Sequence, residues 1–204
     1  MSDRPNVLVI LVDQQRADMA GCYGNSFCQT PHLDALARTG TIFTRAYCPF
    51  PQCSPTRASL MTGLDPIKTG IGIQSNYRML GDRTVERLDT ELPSIGTLLH
   101  EAGYRTGYVG KWHLSPKEPP TDLVDYGFDS YEAQYPRLTK LVPCAPEAGL
   151  HKKGIAGFGT STPSWEGWQA ARAEEFIRRN AGAGEPFLLF YSEPRPHPPY
   201  FVTR

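Results

Sequence analysis

Residues 6–13 read NVLVILVD. Six apolar side chains follow one another without a break, four of them β-branched, and Asp13 closes the run. A run this short, rich in β-branched residues and bounded by a carboxylate, predicts a buried strand of a parallel sheet. Such a strand needs helices to cover it, and the sequence that follows should supply them.

Working outward, TPHLDALARTG (30–40) meets the rules for a short helix. Thr30 stands as N-cap, Pro31 at the first helical position, Leu33, Leu36 and Ala37 as the apolar face, and Gly40 as the stop. TIFTRAYC (41–48) alternates and predicts a strand. Prolines at 49, 51 and 55 then stiffen the chain, and residues 56–62 predict a helix ended by Gly63. A polar loop follows from about 65 to 90. LPSIGTLLHEAGY (92–104) places Leu92, Ile95, Leu98 and Leu99 at helical spacing, with Gly103 as the stop. YRTGYVGK (104–111) predicts a strand, 115–163 a long irregular excursion, 164–182 a helix capped by Ser164, and PFLLFYSE (186–193) a second buried strand. Strands alternating with helices define an α/β fold with a mainly parallel sheet flanked by helices, and residues 1–204 read as one domain.

Composition narrows the function. Hydrophobic residues make up 40% and charged residues 21%, as in globular proteins. The formal net charge is zero, so nothing global points to nucleic acid or an anionic membrane as partner. The apolar run at 7–12 is too short to span a bilayer, and it starts too near Met1 and ends too soon for a secretion signal. A cytoplasmic location is the expectation. Five cysteines, Cys22, Cys28, Cys48, Cys53 and Cys144, form neither an even disulfide framework nor the paired spacing of a zinc site. Trp112 reads as core, and every cysteine but Cys53 as lacking a catalytic role.

In parallel sheets, ligands gather beyond the carboxyl ends of the strands. Asp13 and Gln14 follow the first strand, Lys111 and His113 the second, and His197 the third. In extended backbone Lys111 and His113, two apart, would share a face. Cys53 and Arg57 sit at or just before a helix N-terminus, whose amides and dipole favour an anion. Four segments can therefore converge on one crevice.

Those residues carry a resemblance. PNVLVILVDQQR, TPHLDALARTGTIFTRAYC, CSPTRASLMTG, GYRTGYVGKWHL and PFLLFYSEPRPHPPY, in this order, resemble the N-terminal part of a sulfatase of the alkaline-phosphatase-like superfamily. The third block matches the Cys-x-Pro-x-Arg signature. The resemblance implies a sulfuric ester hydrolase whose Cys53 is converted to formylglycine by a formylglycine-generating or other sulfatase-maturing enzyme. The aldehyde's hydrate would be the nucleophile against a small-molecule sulfate ester. It implies a divalent cation, most often Ca2+ with Mn2+ or Mg2+ as alternatives, held by Asp13, Gln14 and the residue 53 hydrate. Arg57 would hold the hydrate, Lys111 and His113 the sulfate oxygens, and His197 would stand near the leaving oxygen as general acid.

Two positions depart from the family pattern. Gln14 stands where many members carry a second Asp, which keeps a phosphonate monoester or phosphodiester hydrolase open. Thr56 stands where Ser is common. The family's downstream acids and a further lysine have no counterpart before Arg204. The expectation is therefore a truncated chain with half a site, its last strand left as an exposed edge. A non-catalytic fragment is the remaining alternative.

Overall fold

The structure, a computed structural model, describes residues 4–72, 87–115, 123–133, 156–159, 165–197 and 200–203. Its centre is a four-stranded parallel sheet in the order β1 (Val7–Val12), β5 (Phe187–Glu193), β2 (Arg105–Gly110) and β3 (Ser130–Ala133). Two further strands, β4 (Ala156–Gly159) and β6 (Tyr200–Thr203), pair in parallel as a separate ribbon. The helices are α1 (Pro31–Thr39), α2 (Cys53–Thr62), α3 (Pro66–Thr69), α4 (Ile95–Glu101) and α5 (Trp165–Asn180). The expected α/β fold is present.

Strand periodicity divides β5 between two cores. Leu188 and Phe190 face one side, where Ala58 and Met61 of α2, Ile95 and Leu99 of α4, Tyr108 and the fully buried Trp112 pack together. Phe187, Leu189 and Tyr191 face the other, against Ala173, Phe176 and Ile177 of α5. Tyr108 stacks on Phe190 at 5.1 Å and meets Trp112 and Phe128 edge-on, so aromatic packing ties β2 to β5.

Register brings the site together. Val12 pairs with Glu193, and Gly110 with Ser192, so the carboxyl ends of β1, β5 and β2 lie level. Gly110 has φ 103, and a Cβ there would run into the carbonyl oxygen of Ser192. Only glycine fits, and that close approach delivers Lys111 to the sheet end, its N–H bonded to Ser192 O at 3.1 Å.

Several expectations are corrected. β5 is not an exposed edge: it lies between β1 and β2. Among the described residues the edges are β3 and β1, and β1 is only half buried. Val7, Val9 and Leu11 pack on the first core, whereas Leu8, Ile10 and Val12 on the opposite face are 46%, 55% and 38% exposed. The reason is that α5 packs over β5 and β2 and stops short of β1. Residues 41–48 form no strand, because no sheet edge pairs with them, and Phe43 and Tyr47 are exposed. α1 occupies the expected residues but buries none of them, so Leu33 and Leu36 are not core. Its N-cap Thr30 does not cap: the hydroxyl donates to Asp34 and accepts from the Gly21 N–H. α2 begins at Cys53, three residues before the expected start. Within the irregular excursion, β3 was not foreseen, since SYEA is short and barely apolar. Ser164, Cys144 and much of that excursion lie outside the described residues.

Candidate active site

Cys53 is the first residue of α2, and Arg57 lies one turn further along the helix. Both therefore project from one end of α2 toward the carboxyl ends of β1 and β2. Asp13 meets them from β1. Its Oδ2 accepts from Lys111 Nζ at 2.6 Å and from Arg57 Nη2 at 3.2 Å, and its Oδ1 faces Cys53 Sγ at 3.4 Å. Asp13, Lys111 and Arg57 are 8%, 7% and 4% exposed, so this is a buried knot of charge rather than a surface pair. Arg57 is pinned by its other arm: Nη1 donates to Lys111 O at 2.8 Å and to Ser192 Oγ at 2.7 Å. Tyr108 OH donates to that same Lys111 carbonyl at 2.6 Å.

The charges set the protonation states. Burial pushes the Asp13 carboxyl up, but the Lys111 and Arg57 charges and the hydrogen bonds from Lys111 and Cys53 together hold it below its ordinary value. Burial pushes the Cys53 thiol up, and Asp13 adds to that, so the sulfur is a neutral thiol at pH 7 and not a ready thiolate. His113 is lowered to about 4, by burial first and then by the Lys111 and Arg57 charges. It is a neutral imidazole at pH 7. Of the two side chains that the resemblance places at the sulfate oxygens, His113 is therefore uncharged. The shared-face argument for Lys111 and His113 lapses, because His113 has φ 59 and the backbone leaves the extended form there.

A cavity of about 350 Å3 opens over this knot, and Asp13, Gln14, Cys53, Arg57 and His197 line it. Gln14, at φ 59, turns the chain sharply after β1. His113 feels the charges of Lys111, Arg57, Asp13 and His197, which places it in the same neighbourhood. All seven residues named from the sequence are therefore brought together. Three further residues contribute in ways the sequence did not show. Ser192 anchors Arg57, but a serine near a strand end carries no signal of its own. Cys48, read as lacking a catalytic role, lines the cavity. The Thr56 hydroxyl donates to Phe50 O, bracing the proline-rich approach to Cys53.

A divalent cation fits these residues only in part. Asp13 is an ionised carboxylate at a strand end, suited to a hard cation. Yet its Oδ2 already serves two cations, and among the described residues no group of three His, Cys, Asp or Glu side chains comes together to hold a metal. The described residues supply a first ligand and not a complete cation site.

At the carboxyl ends of a parallel α/β sheet, buried Asp13, Lys111 and Arg57 thus lie beside a half-buried Cys53, an arrangement suited to receive an anionic group. Comparison with known proteins makes this specific: the Sulfatase family pattern matches residues 5–204, and the chain belongs to that family. The uncharacterized sulfatase YidJ of Escherichia coli is 33% identical over 97% of this chain and 39% of its own length. The crystal structure of Ps i-CgsB in complex with k-i-k-neocarrahexaose superposes with a TM-score of 0.73 at 27% identity, covering 97% of this chain and 46% of that one. The phosphonate monoester hydrolase of Agrobacterium radiobacter shares the fold, with a TM-score of 0.69 at 24% identity over 98% of this chain and 43% of its own. The chain thus spans less than half the length of each. No helix among the described residues is long and apolar enough to cross a membrane.

Proposed function

We propose that this chain carries the nucleophile-bearing part of a sulfuric ester hydrolase, with Cys53 as the residue converted to formylglycine by a sulfatase-maturing enzyme. The observation that carries the reading is the placement of Cys53 at the first position of α2, against Asp13 and one helical turn from Arg57. A neutral thiol in that place is a poor nucleophile, which favours its use as a precursor over direct attack. In the hydrate, one hydroxyl gives its proton to Asp13 Oδ1, the nearest acceptor, and its oxygen attacks sulfur. The S–O bond to the alcohol breaks, and His197 protonates the departing oxygen. The second hydroxyl then gives its proton to His197, which has just released its own, the carbon–oxygen bond to sulfate breaks, the aldehyde returns, and Asp13 releases its proton to solvent. Arg57 holds the hydrate side of the centre, Lys111 offers positive charge to the sulfate oxygens, and neutral His113 offers a hydrogen bond. The cation that the family implies, Ca2+ most often, would polarise the hydrate.

A second reading has its own support. Gln14 beside Asp13 and the fold shared with a phosphonate monoester hydrolase favour a phosphonate monoester or phosphodiester substrate. The test has two stages. Co-expression with a maturing enzyme and peptide mapping should find an aldehyde at position 53; free thiol alone, where a control sulfatase is modified, removes the nucleophile. Paired kinetics of the modified protein, extended by its native downstream sequence, should then favour an aryl sulfate over an aryl phosphonate ester. The opposite ratio selects the second reading, and no turnover of either marks a non-catalytic chain.

A further inference from the structure

The knot at Asp13 contains one negative charge and two positive ones. Both positive charges lie within 3.2 Å of Asp13 Oδ2, so the place where a divalent cation would meet Asp13 carries an excess of positive charge. The two cations there are not held alike. Arg57 is fixed by Lys111 O and Ser192 Oγ as well as by Asp13. The Lys111 ammonium is held, among the described residues, by Asp13 alone, at 2.6 Å. It is a compact charge at the end of a flexible four-carbon stem, able to swing away without disturbing the backbone. Its main chain is pinned independently, by Ser192 O, Arg57 and Tyr108.

We infer that Lys111 is the resident cation of this seat: its ammonium occupies Asp13 Oδ2, and a divalent cation binds Asp13 only by displacing it. Lys111 then sets the affinity of the site for metal. The displaced ammonium becomes free for an anion in the cavity, so cation binding and anion binding help each other through one side chain, and the coupling is reciprocal. The inference rests on the sulfatase reading only in taking Asp13 as the place where a cation would arrive.

The test uses the 204-residue chain with its cysteine unmodified and terbium as an oxygen-seeking probe, read by luminescence sensitised through nearby aromatic rings such as Trp112. Lys111→Met should bind terbium tighter than wild type by about tenfold or more, the low end for removing one member of a close charge pair. Arg105→Met is the control for net charge: Arg105 pairs with Glu185 on the surface at the opposite end of β2. It should leave terbium affinity unchanged. Lys111→Gln repeats the test should the methionine variant misfold, with near-UV circular dichroism as the check. A second readout needs no variant. Acetylation of Lys111 by acetic anhydride, measured against the exposed Lys68 by peptide mass mapping, should rise when terbium is added to the wild-type chain.

Affinity no greater in the folded Lys111 variants than in wild type, absence of binding in both included, overturns the inference. So does an equal gain in Arg105→Met, which would reduce the effect to net charge. Lys111 acetylation that stays unchanged at saturating terbium overturns it as well. Neither readout involves a sulfate ester. Terbium exchange without aryl sulfate turnover by the extended protein would defeat the functional reading alone, and the reverse result would defeat only this one.

Discussion

Asp13 holds three side chains on two oxygens, and the two cations it gathers act on the groups around them. His113 is the clearest case, lowered from 6.5 to about 4 by burial and then by the Lys111 and Arg57 charges. In the unfolded chain the imidazole takes a proton as the pH falls through 6.5, whereas the folded chain resists until about 4. Between those values the unfolded state binds more protons, so the stability contributed by neutral His113 is intact above the upper value and is lost as acid is added. Urea midpoints should fall more steeply from about pH 7.5 to about pH 5 in wild type than in His113→Gln. Parallel slopes for the two proteins would show that the imidazole is not buried as described. Most of this chemistry was legible in the sequence, because Asp13, Lys111 and His197 follow strong strand patterns and Cys53 and Arg57 sit in a proline-marked motif. The neutrality of His113 was not, since it depends first on burial and then on the Lys111 and Arg57 charges that the fold brings beside it.

At the level of elements, helix ends decide more than helix faces. α4 is short, and it is held by its N-terminus: the Ser94 hydroxyl accepts from Thr97 N–H at 3.1 Å, and the Thr97 hydroxyl accepts from Ser94 N–H at 2.8 Å. Ser94 is fully buried and also donates to Tyr126 O at 2.8 Å, so it joins α4 to the turn before β3. Ser94→Ala removes the cap and leaves that carbonyl without its partner. A loss of about 1–2 kcal/mol is expected in urea unfolding, the range for losing a helix cap. A change too small to measure would mean that packing of Ile95 and Leu99 holds α4 by itself. The apolar spacing of Leu92, Ile95, Leu98 and Leu99 revealed this helix, although Leu98 is exposed. The same kind of spacing misled at α1, where Leu33 and Leu36 have periodicity but no layer to pack on. Periodicity reports which face would be buried; it does not supply the surface that buries it. The strand expected at 41–48 failed for the same reason.

Across the whole molecule, the two faces of the sheet are unequally covered. One is closed by α2 and α4, and the other by α5 only over β5 and β2. The uncovered row of Leu8, Ile10 and Val12 is an apolar strip beside an open strand edge, the arrangement that promotes edge-to-edge association. Replacing Leu8 and Ile10 together with Thr puts β-branched side chains suited to a strand at both positions and removes apolar surface. Light scattering of the 204-residue chain should then show less concentration-dependent association than wild type. Unchanged scattering would place the sticky surface elsewhere, with exposed Phe43 and Tyr47 the next residues to examine. The sequence pattern predicted the strand but not its one-sidedness, because a continuous apolar run looks the same whether one face or both are covered.

Among the described residues β1 is joined to the sheet by a single ladder, to β5, and Asp13 continues that ladder with one more bond, from its N–H to Glu193 O at 2.9 Å. Strands held on one side open locally more often than those held on both, and their amide hydrogens exchange sooner. The acid that organises the centre thus hangs from the less protected rim of the sheet, while Arg57 and Lys111 are fastened to its interior strands. Each brief fraying of β1 separates the negative charge from its two counter-charges. The knot is then also a latch: the ion pairs that Asp13 makes across the sheet top are what return β1 to register, and the lifetime of the assembled centre is the lifetime of that strand's closed state.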